Sequence, residues 1–122
     1  MSERVKRNHR SLKAWQKAIE LVERVYGETR KFPKEELFGL TSPMRRAAVS
    51  VPANIAEGAA RSGTKELVRF LSIAEASLSE LDTHVEIANR LGYLKNDQLH
   101  DEIDALSALL MGLSASLKRK LQ

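Results

Sequence analysis

Residues 99–121 read LHDEIDALSALLMGLSASLKRKL, and in them Leu99, Ile103, Leu106, Leu110, Leu113, Leu117 and Leu121 recur at steps of three or four. One face of an α-helix returns to the same side at that period, so the stretch predicts a helix over about 97–121 with a single buried stripe. Its ends agree. Asn96 or Asp97 can cap the first turn, Asp97, Asp101 and Glu102 lie at the positive end of the helix dipole, and Lys118, Arg119 and Lys120 lie at the negative end. Upstream, Leu67, Phe70, Leu71, Ala74, Leu78, Leu81, Val85, Ala88 and Leu91 trace a second long stripe over 64–91, closed by Gly92, a residue suited to a left-handed C′ position. A first helix over about 11–31 places Leu12, Trp15, Ile19, Val22 and Tyr26 on its expected inner face and stops at Phe32-Pro33.

The segment 42–61 is the unusual one. Ser42 as cap and Pro43 at the first helical position make a sound start, but Pro52 falls mid-helix, removes the hydrogen bond to the Ala48 carbonyl and costs about 3 kcal/mol. Packing must favour the helix by more than that. Met44, Ala48, Val51, Ile55 and Ala59 form one apolar stripe, and Val49, Ala53, Ala56 and Ala60 form another. Two apolar faces imply two partners, either both within the chain or one on another subunit. With four helices, short connections and no strand signal, the expected fold is all-α: an antiparallel up-down-up-down four-helix bundle over residues 11–122 behind a basic arm at residues 1–10. The chain has 122 residues, 43% hydrophobic and 30% charged, which suits one folded domain and is too apolar for disorder.

Charge is unevenly spread. Residues 1–17 carry six basic groups against one acid, while residues 65–117 carry nine acids against four bases. In an up-down bundle the start of the first and third helices meets the end of the second and fourth. That pole collects Arg4, Lys6, Arg7, Arg10, Lys13, Lys17, Arg61, Lys65, Arg69, Lys118, Arg119 and Lys120, a footprint for phosphate backbones or an acidic protein. The plainer alternative is that these are solvated ends and helix-dipole partners. Trp15 and Phe70 lie near the pole but on apolar stripes, so any binding should be backbone-directed rather than built on base stacking.

Catalytic signatures are missing. The absence of cysteine excludes a disulfide scaffold, a thiolate zinc site and a cysteine nucleophile. A di-iron bundle needs Glu-x-x-His on two helices, and the chain has none. Glu80 and His84 lie four apart and read as a surface pair; His9 and His100 have no evident catalytic partner, and the Arg4 to His9 spacing, reminiscent of a small helical ribonuclease, falls in an arm expected to be mobile rather than inside a packed helix. In 42–61, Arg46, Ser50, Asn54, Glu57 and Arg61 line a polar stripe with Glu57 and Arg61 spaced to pair. Arg46, Asn54, Ala56 and Glu57 are accordingly candidates for a structural network or subunit contact. No cofactor, metal or catalysis is expected. The charged opening MSERVKRNHR and the lack of an apolar run of about 18 residues predict a cytoplasmic protein with no membrane contact.

The stretch 40–58, LTSPMRRAAVSVPANIAEG, resembles the signature of the bacterial four-helix bundle proteins encoded by 23S ribosomal RNA intervening sequences. FPKEELFGL at 32–40, FLSIA at 70–74, SLSEL at 77–81 and IANRLGYL at 87–94 support it, so the resemblance spans roughly residues 11–117. Pro43 stands where that family usually has Gln, and Asp82-Thr83-His84 replaces a more usual Glu-Thr pairing, which puts any shared polar site there in doubt. The resemblance implies a homopentameric ring of short bundles without established enzymatic activity. It also implies kinship to the accessory variability determinant of diversity-generating retroelements, a pentameric partner of a reverse transcriptase that binds nucleic acid. The expected function is therefore a non-enzymatic scaffold holding structured RNA or DNA at its basic pole; the alternatives are an adaptor docking an enzyme such as a reverse transcriptase, and an enzyme using Glu57, or Glu80 with His84.

Overall fold

A computed structural model describes residues 5–121 and contains α1 (Lys13–Thr29), α2 (Ser42–Ala60), α3 (Thr64–Arg90) and α4 (Gln98–Arg119), with no strand among the described residues. Local chemistry sets the ends. α3 closes in a Schellman motif, with the Gly92 N–H donating to the Asn89 carbonyl at 3.1 Å and the Tyr93 N–H to the Ala88 carbonyl at 2.9 Å. Gly92 takes φ +83°, the left-handed region that a side chain would resist. Ahead of α4, the Asn96 side-chain oxygen accepts the Gln98 N–H at 3.0 Å, so of the two candidate caps Asn96 supplies the bond. The α1–α2 connection is itself wound, as a 3-10 turn at Lys34–Glu36 and a π-helical turn at Leu37–Thr41.

Side-chain bridges fix the antiparallel register. Arg45 of α2 reaches Thr29 at the end of α1 (2.8 Å), Ser50 of α2 meets Ser77 of α3 (2.9 Å), Ser107 of α4 meets Glu75 of α3, and Arg24 of α1 pairs with Glu102 of α4 (2.8 Å). Each helix thus packs on two neighbours around a core that includes Val25, Met44, Val51, Ile55, Leu71, Leu78, Leu81, Val85, Ile103, Leu106 and Leu110. This is the four-helix bundle expected from periodicity.

Several details differ from the sequence expectation. Ser42 does not cap α2, which follows directly on the π-helical turn with Thr41 at its N-cap and no side-chain cap, and Leu91 and Leu121, at the ends of their stripes, are exposed. The buried face of α1 is Ala14, Ala18, Leu21, Val25 and Thr29, roughly one position round from the stripe of larger residues. Trp15 and Val22 only flank the core, and Ile19 is 36% exposed. Small residues let the helix axes approach, and the bulky side chains then seal the sides. The second stripe of α2 is not intrachain core: Val49, Ala53 and Ala60 are exposed and Ala56 is half-buried, while Ala47, Pro52 and Gly58 complete the buried face instead. Pro52 is absorbed within a continuous helix. Finally, α1 begins at Lys13 because Asn8–Ser11 forms a separate 3-10 turn packed on α2, so this part of the basic arm is built into the bundle. Its bonds include Ser11 Oγ–H to the Asn8 carbonyl at 3.0 Å and Gln16 Nε2–H to the Arg10 carbonyl at 2.8 Å.

The tightest helix contact is at Gly58. A Cβ there would lie 2.6 Å from the Phe70 Cβ and 3.1 Å from Leu67 Cδ1, so α2 and α3 touch backbone to side-chain root. Gly58→Ala should destabilise the bundle by about 1–3 kcal/mol through overpacking, despite the gain in helix propensity. Gly27→Ala, which meets nothing within 4 Å in α1, should stabilise it by about 0.5–1 kcal/mol. Urea denaturation of the two variants checks both signs.

Candidate nucleic-acid interface

The antiparallel register brings the starts of α1 and α3 to the ends of α2 and α4. Val5 to His9 border a shallow hollow with Ala56, Ala59, Ala60 and Arg61, which places Lys6 and Arg7 beside the end of α2. Lys118 of α4 borders a groove with Val68 and Leu71 of α3, and Lys13 and Lys17 of α1 face Ala105, Leu106 and Leu109 of α4. Arg4 lies outside the described residues.

Within this pole the basic residues divide into two sets. Arg61 Nη2 donates to Glu57 Oε2 at 2.8 Å, and Arg69 forks onto Glu66 through Nε (2.9 Å) and Nη2 (3.3 Å). Both guanidiniums also stack on Phe70, 5.1 and 4.6 Å from its ring centroid, and roof a side chain only 6% exposed. The Arg69 hydrogen bond holds the Glu66 carboxyl below its ordinary range, outweighing the opposing effect of burial, with help from the charges of Arg69, Arg61 and Lys65. These two arginines are engaged within the fold. Lys17 lies 3.6 Å from Glu20. Lys6, Arg7, Arg10, Lys13, Lys65, Lys118, Arg119 and Lys120 make no ion pair among the described residues. Arg10 is steadied over Trp15, 5.3 Å from its centroid, with His9 on the same ring at 4.8 Å. Trp15 is thus committed to holding the arm down.

The other singled-out residues are spread along α2. Asn54 Nδ2 donates to the Ser50 carbonyl (2.8 Å) and to Ser50 Oγ (2.9 Å), and that hydroxyl meets Ser77, so the polar stripe ties α2 to α3. Glu57 serves Arg61, Ala56 lies beside the arm, and Arg46 is exposed and stands apart from the network. Glu80 and His84 approach at 3.4 Å on the surface of α3, and no three His, Asp or Glu residues converge on a metal position among the described residues.

One titratable cluster escaped the sequence. His100, in the first turn of α4, directs Nδ1 to Asp82 Oδ1 (2.7 Å) and Nε2 to Glu86 Oε1 (3.1 Å), both on α3. Carboxylates only accept hydrogen bonds, so both ring nitrogens must carry protons for the clamp to close. Burial disfavours that charge, but the hydrogen bond and charge of Asp82, then those of Glu86, outweigh it and raise the His100 pKa above its ordinary value. The residues are 18 and 14 apart in sequence, and no local spacing marks them. A raised folded-state pKa stabilises the fold fully below the unfolded value of about 6.5 and loses that contribution as pH rises through the folded one. Thermal stability should therefore fall as pH climbs above neutrality, and His100→Gln should flatten that part of the profile.

The described residues form a small bundle of four antiparallel helices with one continuous core and a basic pole. The sequence profile of the 23S rRNA-intervening sequence proteins matches residues 10–112, and the chain belongs to that family. Its fold is similar to that of a protein of unknown function from the S23 ribosomal protein family of Bacteroides thetaiotaomicron, with TM-score 0.75 and 20% identity over 84% of this chain and 95% of that one. No curated protein matches the sequence. No helix among the described residues is long and apolar enough to cross a membrane.

Proposed function

We propose that the protein is a non-enzymatic homo-oligomeric scaffold that binds structured RNA or DNA through its basic pole. The carrying observation is the set of eight basic side chains at that pole that lack carboxylate partners among the described residues, in contrast to the neutralised Arg61 and Arg69. Cations without internal counter-ions release condensed counterions when they meet phosphates, which makes binding favourable and salt-sensitive. Because the nearby aromatics Trp15 and Phe70 are used in packing, contacts fall on the backbone and sequence preference is weak. Assembly is supported by the apolar stripe of Val49, Ala53 and Ala60, which the chain itself leaves uncovered. The family resemblance points to a pentamer, in which like-oriented poles would join into one basic surface and weak contacts would multiply.

A second reading is an adaptor for a partner enzyme, of which a reverse transcriptase is the type that the sequence resemblance to retroelement accessory proteins would imply. It is favoured by Phe38, 85% exposed, and Leu37, 45% exposed, at the opposite pole.

Fluorescence anisotropy of a labelled RNA hairpin between about 50 and 200 mM salt should give a steep loss of affinity, with the log–log slope reduced by about 0.9 for each phosphate contact removed. Lys6→Gln, Arg7→Gln and Lys13→Gln together should lower that slope, whereas Arg61→Gln should change it less. An unchanged slope in the triple variant would remove the arm from the interface. In sedimentation velocity, Ala53→Glu should yield a smaller species with its helix content kept, since its site is exposed on each chain.

A further inference from the structure

The opposite pole is predominantly acidic, yet several of its cations, Arg30, Arg45 and Arg46 among them, are not met by its acids among the described residues. Arg45 and Arg46, in the first turns of α2, make no ion pair among the described residues, although Glu36 and Glu86 belong to the same end of the bundle. Those carboxylates are occupied elsewhere: Glu36 accepts the Tyr93 hydroxyl at 2.8 Å, and Glu86 accepts Arg90 at 2.7 Å and His100 at 3.1 Å.

Arg45 is a positioned group. It is half-buried, its guanidinium lies 4.6 Å from the Tyr26 ring centroid, and its Nε–H donates to Thr29 Oγ1 at 2.8 Å. Thr29 is 2% exposed and sends its own proton to the Val25 carbonyl at 2.7 Å, so the acceptor is itself locked. Stack and hydrogen bond fix the plane of the fork and leave both Nη groups without an acceptor among the described residues. Arg46 follows on the exposed side. The two arginines, with Tyr26, Ser42, Val49 and Ser50, border an open hollow of about 620 Å³. A half-buried guanidinium without a counter-ion is costly to desolvate, and a planar fork held in place is the group best matched to an oxyanion.

We propose that this hollow binds a phosphate monoester, with Arg45 as the fixed bidentate donor, Arg46 as a second cation and the Ser42 hydroxyl as a further donor. A dianion balances two guanidiniums, where a single carboxylate would leave one uncompensated. The hollow is wider than a phosphate and leaves room for whatever carries it. The phosphate could belong to a small metabolite or to the end of a polynucleotide. The site lies at the pole remote from Lys6, Arg7 and Lys13, so it stands or falls independently of the backbone-binding reading.

The probe is inorganic phosphate, titrated at constant ionic strength against chloride while the Arg side-chain Nε–H resonances and the thermal midpoint are followed. Saturable perturbation of one Nε–H and a raised midpoint with phosphate but not chloride are expected. Arg46→Gln, at an exposed site, and Arg45→Lys, which keeps the charge but loses the fork, should each weaken the response by about tenfold or more. A 5′-phosphorylated oligonucleotide that outcompetes its 5′-hydroxyl counterpart would identify a polynucleotide end; equal competition alongside phosphate binding would point to a small metabolite. An equal response to chloride, a response unchanged in both variants, or a change of oligomeric state in the variants with no phosphate effect would overturn the proposal.

Discussion

The close approach of α2 to α3 at Gly58 governs much of what surrounds it. With no Cβ on that residue, the root of Phe70 sits against the α2 backbone, and the three-residue connection from α2 to α3 can turn the chain back on itself. Phe70 is thereby held at the edge of the core, where Arg61 from one helix and Arg69 from the other cover its ring. Their charges are in turn met by Glu57 and Glu66. A single steric constraint thus decides which arginines at this pole serve the fold, and by subtraction which cations remain for a ligand.

The same antiparallel packing separates charge between the ends of the molecule, and each end manages it differently. At the basic end, the turn before α1 is pinned by Trp15 and Gln16 onto the start of the bundle, so Lys6 and Arg7 are presented from an ordered segment. Ordering this turn in advance reduces the entropy lost when a polyanion binds. At the acidic end, His100 bridges Asp82 and Glu86 and, when protonated, counters the repulsion between α3 and the acidic start of α4. Arg45 and Arg46 stay outside this internal neutralisation, and Arg45 is in addition held in place by Tyr26 and Thr29.

Helix number, order and approximate limits were legible because they rest on short-range chemistry. The leucine period of α4, the glycine after α3, the Asn96 cap and the proline following α1 all act within a turn or two. The buried face of α1 was less legible, since hydrophobic size pointed to Trp15, Ile19 and Tyr26 while close packing selected Ala14, Ala18 and Leu21. On α2, two stripes of similar composition could not be ranked from spacing alone; burial assigns Ala47, Val51, Ile55 and Gly58 to the core and leaves Val49 and Ala53 outside.

The sequence by itself determined an all-helical bundle and a basic pole, because periodicity, capping and the order of charges are properties of the chain as a line. Tertiary structure decided the state of each charge. Whether Arg61 is neutralised, Arg45 is fixed but unpaired, or His100 bears two protons depends on groups brought together from separate helices. Those distances, unlike helical periods, are set only when the four helices pack.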